Sequence, residues 1–440
     1  MSGMWPYFPD LLAKPVPRYT SFPTAAEFGC AVGPGDFDRA LQQASGGISL
    51  YVHIPFCEKI CWYCGCNTSA TNRRERLTSY RDALHREIAL VGARLRGRAD
   101  VRRIAFGGGS PNAIAPTDFV RLVDALTIQF GLDDPIISIE LDPRNLTGEW
   151  GQVLSFVGVE YASMGVQTFD PALQQAIGRI QPDADIEQGT ELLRKAGVTS
   201  LNFDLMYGLP GQTWESLAAT LSRAAELGAD RIALFGYAHV PHMIARQRQI
   251  DATALPDQAQ RFAMAEQGYR LLTGAGYQPV GFDHFARPGD PLAQAALEGR
   301  LHRNFQGFTD DAAPVLIGLG ASAISSFPEL LIQNEKNAGR YRMLLSQGIL
   351  PASHGVARSL EDGDIGRLIE ALLCQGEAHV GTERLSSVSA SLGPFIAHGL
   401  ASVEGEVLRI APGGLPYART IAALFDPYRQ HSPQRFSSAV

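Results

Sequence analysis

Four cysteines fall within ten residues, Cys57, Cys61, Cys64 and Cys66, in the run His53-Ile54-Pro55-Phe56-Cys57-Glu58-Lys59-Ile60-Cys61-Trp62-Tyr63-Cys64-Gly65-Cys66. The run follows the strand-like stretch from Gly47 to Phe56, so one short loop presents several thiols at a strand end. A C-x3-C-x2-C spacing lets three thiolates converge on one centre, and soft sulfur ligands select iron-sulfur clusters or zinc. Structural zinc usually draws on a second cysteine pair roughly 15–20 residues away, and the remaining cysteines, Cys30 and Cys374, stand alone. A disulfide framework suits small oxidised domains, not 440 residues holding six cysteines. The loop therefore reads as the holder of a cubane 4Fe-4S cluster, in which three protein thiolates leave one iron open to chelate a small molecule. Cys30 and Cys374 read as buried, unreactive thiols.

Around this loop the chain alternates strand and helix. After Gly47–Phe56, the residues Leu77, Tyr80, Leu84, Ile88, Val91 and Leu95 form a helical stripe, and Asn72 with Glu75 resembles a capping box at its start. Arg103 to Gly107, Ile137 to Leu141, Tyr161 to Val166, Leu201 to Met206 and Ile232 to Tyr237 read as further strands, with helices over 119–130, 214–227 and 258–272. About six such units predict a parallel sheet with helices outside, an open or partial (β/α)6 barrel. After residue 350 a helical stripe at Ile365, Leu368, Ile369 and Leu372 breaks the rhythm. The expected organisation is an N-terminal arm over 1–30, a catalytic barrel over 31–350 and a smaller, mainly helical C-terminal domain over 351–440.

A formal net charge of −7 and the lack of a lysine- or arginine-dense tract argue against nucleic acid as a partner. No apolar run approaches the ~20 residues that span a bilayer, and residues 1–20 have no signal-like pattern. The expectation is a soluble, monomeric protein of a reducing cytoplasm.

Barrels of this kind place chemistry at the C-terminal ends of the strands. There the chain carries Gly107-Gly108-Gly109-Ser110-Pro111, whose bare backbone can approach a ligand or simply make a tight turn. Glu140 and Asp142, two apart, are expected on one face, where burial requires a hydrogen-bonding ligand such as ribose or an ion pair with Arg144. Gln167 and Asp204 are expected where strands run out into loops.

Together these motifs resemble the oxygen-independent coproporphyrinogen III oxidases, members of the radical S-adenosylmethionine (SAM) enzymes. The resemblance runs from Pro15-Val16-Pro17-Arg18-Tyr19-Thr20 to about Tyr428. Its most specific pieces are Cys66, Tyr237-Ala238-His239-Val240-Pro241, Phe282-Asp283-His284-Phe285-Ala286-Arg287-Pro288 and His302-Arg303-Asn304-Phe305-Gln306-Gly307-Phe308-Thr309; the family has threonine where this chain has Ser110. The resemblance implies a radical SAM barrel with a 4Fe-4S cluster on Cys57, Cys61 and Cys64, Cys66 lying nearby without ligating. It implies two SAM molecules, the first contacted by Tyr51, Gly107, Glu140 and Ile324. The second would be contacted by Tyr63, Gly108, Gly109, Gln167, Arg179, Asp204 and Ala238. Cys66, Tyr51, His53 and Gln306 are the candidates for the reaction centre.

The implied reaction uses a 5'-deoxyadenosyl radical from SAM to convert two propionates of coproporphyrinogen III to vinyl groups, giving protoporphyrinogen IX, with an electron donor such as flavodoxin or ferredoxin. Arg18, Arg246, Arg248, Arg287 and Arg303 are candidate partners for the substrate's carboxylates. Two rivals share the core: a haem-binding chaperone, which lacks a counterpart of Cys66 and of the His302–Thr309 run, and a radical SAM enzyme acting on another tetrapyrrole.

Overall fold

The computed structural model describes residues 4–70, 74–95 and 97–431. Six parallel strands form the centre of a 12-stranded sheet: β1 (Gly46–Ile54), β2 (Ala99–Gly108), β3 (Ile136–Leu141), β4 (Val159–Gln167), β5 (Ser200–Tyr207) and β6 (Arg231–Gly236). They lie side by side in chain order, and Val315–Leu319 pairs in parallel with the other side of β1. Short antiparallel strands extend both edges. One cavity of about 340 Å³ is lined by residues from all six strands, so the sheet curls around a hollow interior.

The helices pack outside, as the alternation predicts. Helix α1 (Arg74–Leu95) buries Tyr80, Leu84, Ile88, Val91 and Leu95 on one stripe against the sheet. The expected cap at Asn72 lies outside the described residues. Helix α2 (Pro116–Phe130) opens with Pro at its first turn and closes on Gly131, whose φ of 64° is a conformation glycine adopts cheaply. Glu87, buried within α1, accepts from Gly320 N, Asn334 Nδ2 and Tyr341 Oη, tying the helix to the far edge of the sheet.

The remaining chain builds a second apolar core. Helices α3 (Gln258–Gly274), from the barrel, and α4 (Leu360–Cys374) meet the N-terminal arm there, and Trp5, Leu12, Val16, Tyr19 and Phe22 are buried among Ile365, Leu368, Ile369, Leu372 and Ile421. Tyr19 Oη donates to Asp426 Oδ2 at 2.9 Å and Tyr417 Oη to the Pro6 carbonyl at 2.8 Å, so the two ends of the chain are stitched together. The C-terminal part holds a three-stranded sheet (Glu377–His379, Ala401–Glu404, Val407–Ile410) beside its helices. Ala352–Ala357 joins the edge of the large sheet. Cys374 is buried, whereas Cys30 is exposed with its sulfur 3.5 Å from His354 Nε2, correcting the expectation that both are buried.

Candidate active site

The cysteine loop leaves the C-terminal end of β1 and is held from two sides. Trp62 N donates to the Ile177 carbonyl at 3.0 Å, and the Trp62 ring fills the space above Gly178, where a Cβ would come within 2.6 Å of it. Gln247, itself 1% exposed, donates from Nε2 to the carbonyls of Tyr63 and Ala238 at 3.0 Å each, joining the loop to the segment after β6. All four thiols are free. The Cys66 thiol shares a hydrogen bond with that of Cys64, which holds Cys64 down at about 6 and pushes Cys66 up. Burial, with the neighbouring Cys64 and Cys61, pushes the Cys57 thiol up to about 12.

Cationic groups converge behind the loop. Arg179 Nη1 reaches the Cys61 sulfur at 3.2 Å while Nε donates to Gln181 Oε1 at 2.9 Å and Nη2 to the Gly165 carbonyl. Asp142 is shared between Arg144, at 2.9 Å from Nε, and Arg179, at 3.3 Å from Nη2. Burial would raise the Asp142 carboxyl, but Arg179 and Arg144 together hold it below its ordinary value. The ion-pair expectation thus describes Asp142, which lies beyond the last residue of β3. Glu140 differs: it stands open to the barrel cavity and accepts from Gly108 N at 3.1 Å, and its enclosure by the barrel walls pushes its carboxyl up to about 7.

The glycine triplet is more than a turn. A Cβ on Gly107 would stand 2.7 Å from the Glu140 carboxyl carbon, one on Gly108 2.5 Å from the His53 ring, and one on Gly109 2.4 Å from the Phe56 carbonyl oxygen. Gly108 also has φ +113°, so substitution there is both crowded and strained. His53 is 7% exposed; its Nδ1 contacts Tyr51 Oη at 3.1 Å and its Nε2 contacts Ser322 Oγ at 3.3 Å. Burial lowers its pKa to about 4, so the ring is neutral near pH 7. Tyr80 on α1 donates to the His53 carbonyl at 2.8 Å and fixes this end of β1.

The chain matches the Radical SAM superfamily over residues 51–224. It is 39% identical over 437 residues to the oxygen-independent coproporphyrinogen III oxidase of Bradyrhizobium diazoefficiens, covering 97% of each chain. To the enzyme of the same name from Escherichia coli it is 37% identical over 439 residues, covering 96% of each. The chain belongs to the oxygen-independent coproporphyrinogen III oxidase family. The solved structure of coproporphyrinogen III oxidase from Escherichia coli, titled as a radical SAM enzyme, superposes with a TM-score of 0.90 over 97% of this chain and 100% of that one.

Of the residues expected around two SAM molecules, Glu140 and Asp204 line one cavity, Gly107 and Gly108 close on Glu140 and His53, Arg179 reaches Cys61, and Ala238 lines a separate small cavity. Gln167 ends β4 with φ 67°, as expected of a strand-to-loop position. Asp204, by contrast, lies inside β5, which continues to Tyr207; its carboxylate accepts from Ser163 Oγ at 2.9 Å and Asn202 Nδ2 at 2.8 Å, and burial raises its pKa. Gln306 lines the same cavity as Glu140 and Asp204. Ile324 packs its backbone against Gly318, the register partner of Tyr51.

The candidate arginines separate. Arg246 bonds the Cys66 carbonyl and Thr68 Oγ1 at 3.4 and 3.5 Å, Arg287 lies over Tyr277 at 4.2 Å, and Arg248 is exposed. Arg18 and Arg303 lie together, Arg303 Nε donating to the Arg18 carbonyl at 3.2 Å. Sequence reading missed Gln247, Arg261 and Arg419. Arg261 had a signal, since it shares a helix stripe with Ala265 and Tyr269 at intervals of four; Gln247 sits in a short 3-10 turn that gives none.

The donor set fits the cluster and cofactor that the superfamily uses. Three free thiols from one loop suit iron-sulfur ligation, and bare glycine backbone beside Glu140 offers a cradle that any Cβ would fill. Among the described residues no group of three or more His, Cys, Asp and Glu side chains closes on a single metal ion.

Proposed function

We propose that this chain converts coproporphyrinogen III to protoporphyrinogen IX without oxygen, by oxidative decarboxylation of two propionates. The observation that carries this reading is the three-thiol loop opening on the Glu140–Gly108 floor, close enough that Glu140 and Cys66 act electrostatically on Tyr51, in a chain that aligns end to end with the family. When bound, the cluster and SAM supply one-electron reductive cleavage that yields a carbon radical able to take hydrogen from an unactivated propionate. Each propionate would give up that hydrogen atom to the radical, release CO2 and pass one electron to an external one-electron acceptor, leaving a vinyl group.

The protein's own residues position and shield. Cys57, Cys61 and Cys64 hold the cluster, and Arg179 directs an N–H at the Cys61 sulfur, a contact of the kind that tunes cluster potential. Glu140 and the bare backbone of Gly107 would receive the first SAM beside Tyr51 and Ile324. Tyr63, Gly108, Gly109, Gln167, Arg179, Asp204 and Ala238 would serve the second. Neutral His53 orients Tyr51 by their shared hydrogen bond. Cys66 and Gln306 face the substrate.

The test is anaerobic turnover of the reconstituted full chain with SAM, a reductant and coproporphyrinogen III, read as protoporphyrin after oxidation. Formation of both vinyl groups is expected; SAM cleavage with no vinyl product would reject the reading.

A further inference from the structure

We propose that the small cavity walled by Arg18, Arg261 and Arg419 is a carboxylate subsite, and that Arg261 is its fixed anchor for one propionate of the tetrapyrrole. This deepens the function proposed above and rests on it. The cavity, of about 70 Å³, lies where the N-terminal arm, helix α3 and the C-terminal part meet, and Trp5 closes one side. A single water needs ~10–15 Å³ by a comparable measure, so the space suits one carboxylate arm or a few waters rather than a macrocycle.

Four arginines of the barrel are paired, Arg144 and Arg179 with Asp142, Arg103 with Asp310 and Arg231 with Asp290, whereas this cavity gathers several cationic side chains around a single carboxylate. Among the described residues neither Arg18 nor Arg261 forms an ion pair, and Arg261 Nε is buried with no hydrogen-bond partner. Arg303 stands behind Arg18 with its Nη1 in the same condition. One carboxylate, Asp283, faces all this positive charge, and it already bonds His284 at 2.6 Å. A buried guanidinium N–H left without an acceptor is costly, and an incoming carboxylate would offset that cost bidentately.

The fold makes room for the group. A Cβ on Gly208 would come within 3.1 Å of Arg261 Nε, and one on Gly236 within 3.2 Å of its Nη2. The position also suits a substrate arm, because Phe235 lines this cavity and the barrel cavity that holds Glu140, Asp204 and Gln306. A macrocycle in the larger cavity would pass one arm beside Phe235 to the arginines.

The experiment measures equilibrium binding of coproporphyrin III, an oxidised and stable probe, and of its tetramethyl ester to the full chain, with turnover of coproporphyrinogen III in parallel. Arg261→Gln should raise the coproporphyrin III Kd and the coproporphyrinogen KM about tenfold or more, the scale of one charge-assisted contact, while ester binding stays unchanged. Arg261→Lys should recover part of the loss. Arg18→Gln, on an exposed residue of the arm, gives the same pattern more weakly and guards against a folding defect in the first variant. Arg102→Gln, an exposed change of equal charge outside the cavity, should alter neither Kd. Turnover by the wild type with unchanged Kd and KM in both Arg261→Gln and Arg18→Gln would overturn the subsite and leave the function standing. Absence of wild-type turnover would instead reject the function.

Discussion

The barrel core and the core made by the chain termini are built from different kinds of sequence. In the first, each strand is followed within about thirty residues by the helix that covers it, and the chemical groups sit at positions set by that local alternation. In the second, Trp5 and Tyr417 share one core and Tyr19 bonds Asp426 across nearly the whole chain, and the arginines facing the small cavity beside Trp5 come from residues 18, 261 and 419. The cysteine loop is thus a local motif on a repeating scaffold, whereas the proposed carboxylate subsite is assembled from parts distant in sequence.

The sharpest break between the regions should come from the cysteines. Replacing Cys57, Cys61 or Cys64 by serine should abolish the 4Fe-4S absorbance and all SAM cleavage, yet leave coproporphyrin III binding intact. Cys66→Ser should keep the cluster and impair turnover. Iron loss in Cys66→Ser as complete as in the other three would show that the ligand set is wrong.

The next largest effect is on stability. Asp142→Asn strands two buried guanidinium groups, and breaking such a pair typically costs about 3–5 kcal/mol. A lowered denaturation midpoint is expected, measured by chemical unfolding of the cluster-free protein; an unchanged midpoint would mean Arg144 and Arg179 find other partners.

Removing residues 1–24 tests the second core. The deletion takes away Trp5, Leu12, Val16, Tyr19 and Phe22 and with them one wall of the arginine cavity. The cluster and SAM binding should survive, while the KM for the porphyrinogen rises and more 5'-deoxyadenosine is released per product, because the site is less well shielded. Equal KM and unchanged coupling would reduce the arm to a cover for apolar surface.

The legible and illegible parts of the molecule divide along the same line. The six strands, the α1 stripe and the cysteine loop were readable because period and spacing are local. Strand ends were less so: Asp204 was placed at a terminus, yet β5 runs on to Tyr207, since Met206 and Tyr207 are buried and extend the ladder to β6. Asp142 and Glu140 looked like one acidic pair, but Asp142 falls beyond the strand, where the chain turns it toward Arg144. Gln247 and Arg419 gained meaning only from burial and from neighbours on other elements, and the stripe that holds Arg261 did not show which cavity it faces.

The smallest effects are in pH dependence, where two carboxyls shift in opposite directions. Glu140 is raised to about 7, above an unfolded value of about 4.3, so its contribution to stability is complete below pH ~4.3 and is lost as pH rises through about 7. In Asp283, burial is outweighed by His284, Arg303 and Arg18, holding it at about 2. Asp283 therefore stabilises above its unfolded pKa of ~3.9 and loses that contribution as pH falls through about 2. Glu140→Gln should flatten the neutral limb of the stability profile and Asp283→Asn the acid limb, each by about 1 kcal/mol once cavity water is allowed for. Identical profiles for both variants and wild type would erase this contrast.

The central claim is that the barrel end takes hydrogen from a propionate held by the molecule. Coproporphyrinogen III carrying deuterium on the propionate carbons attached to the ring tests it directly, in a single anaerobic turnover analysed by mass spectrometry. The account predicts deuterium in the 5'-deoxyadenosine released with each vinyl group formed; vinyl product accompanied by unlabelled 5'-deoxyadenosine would contradict it.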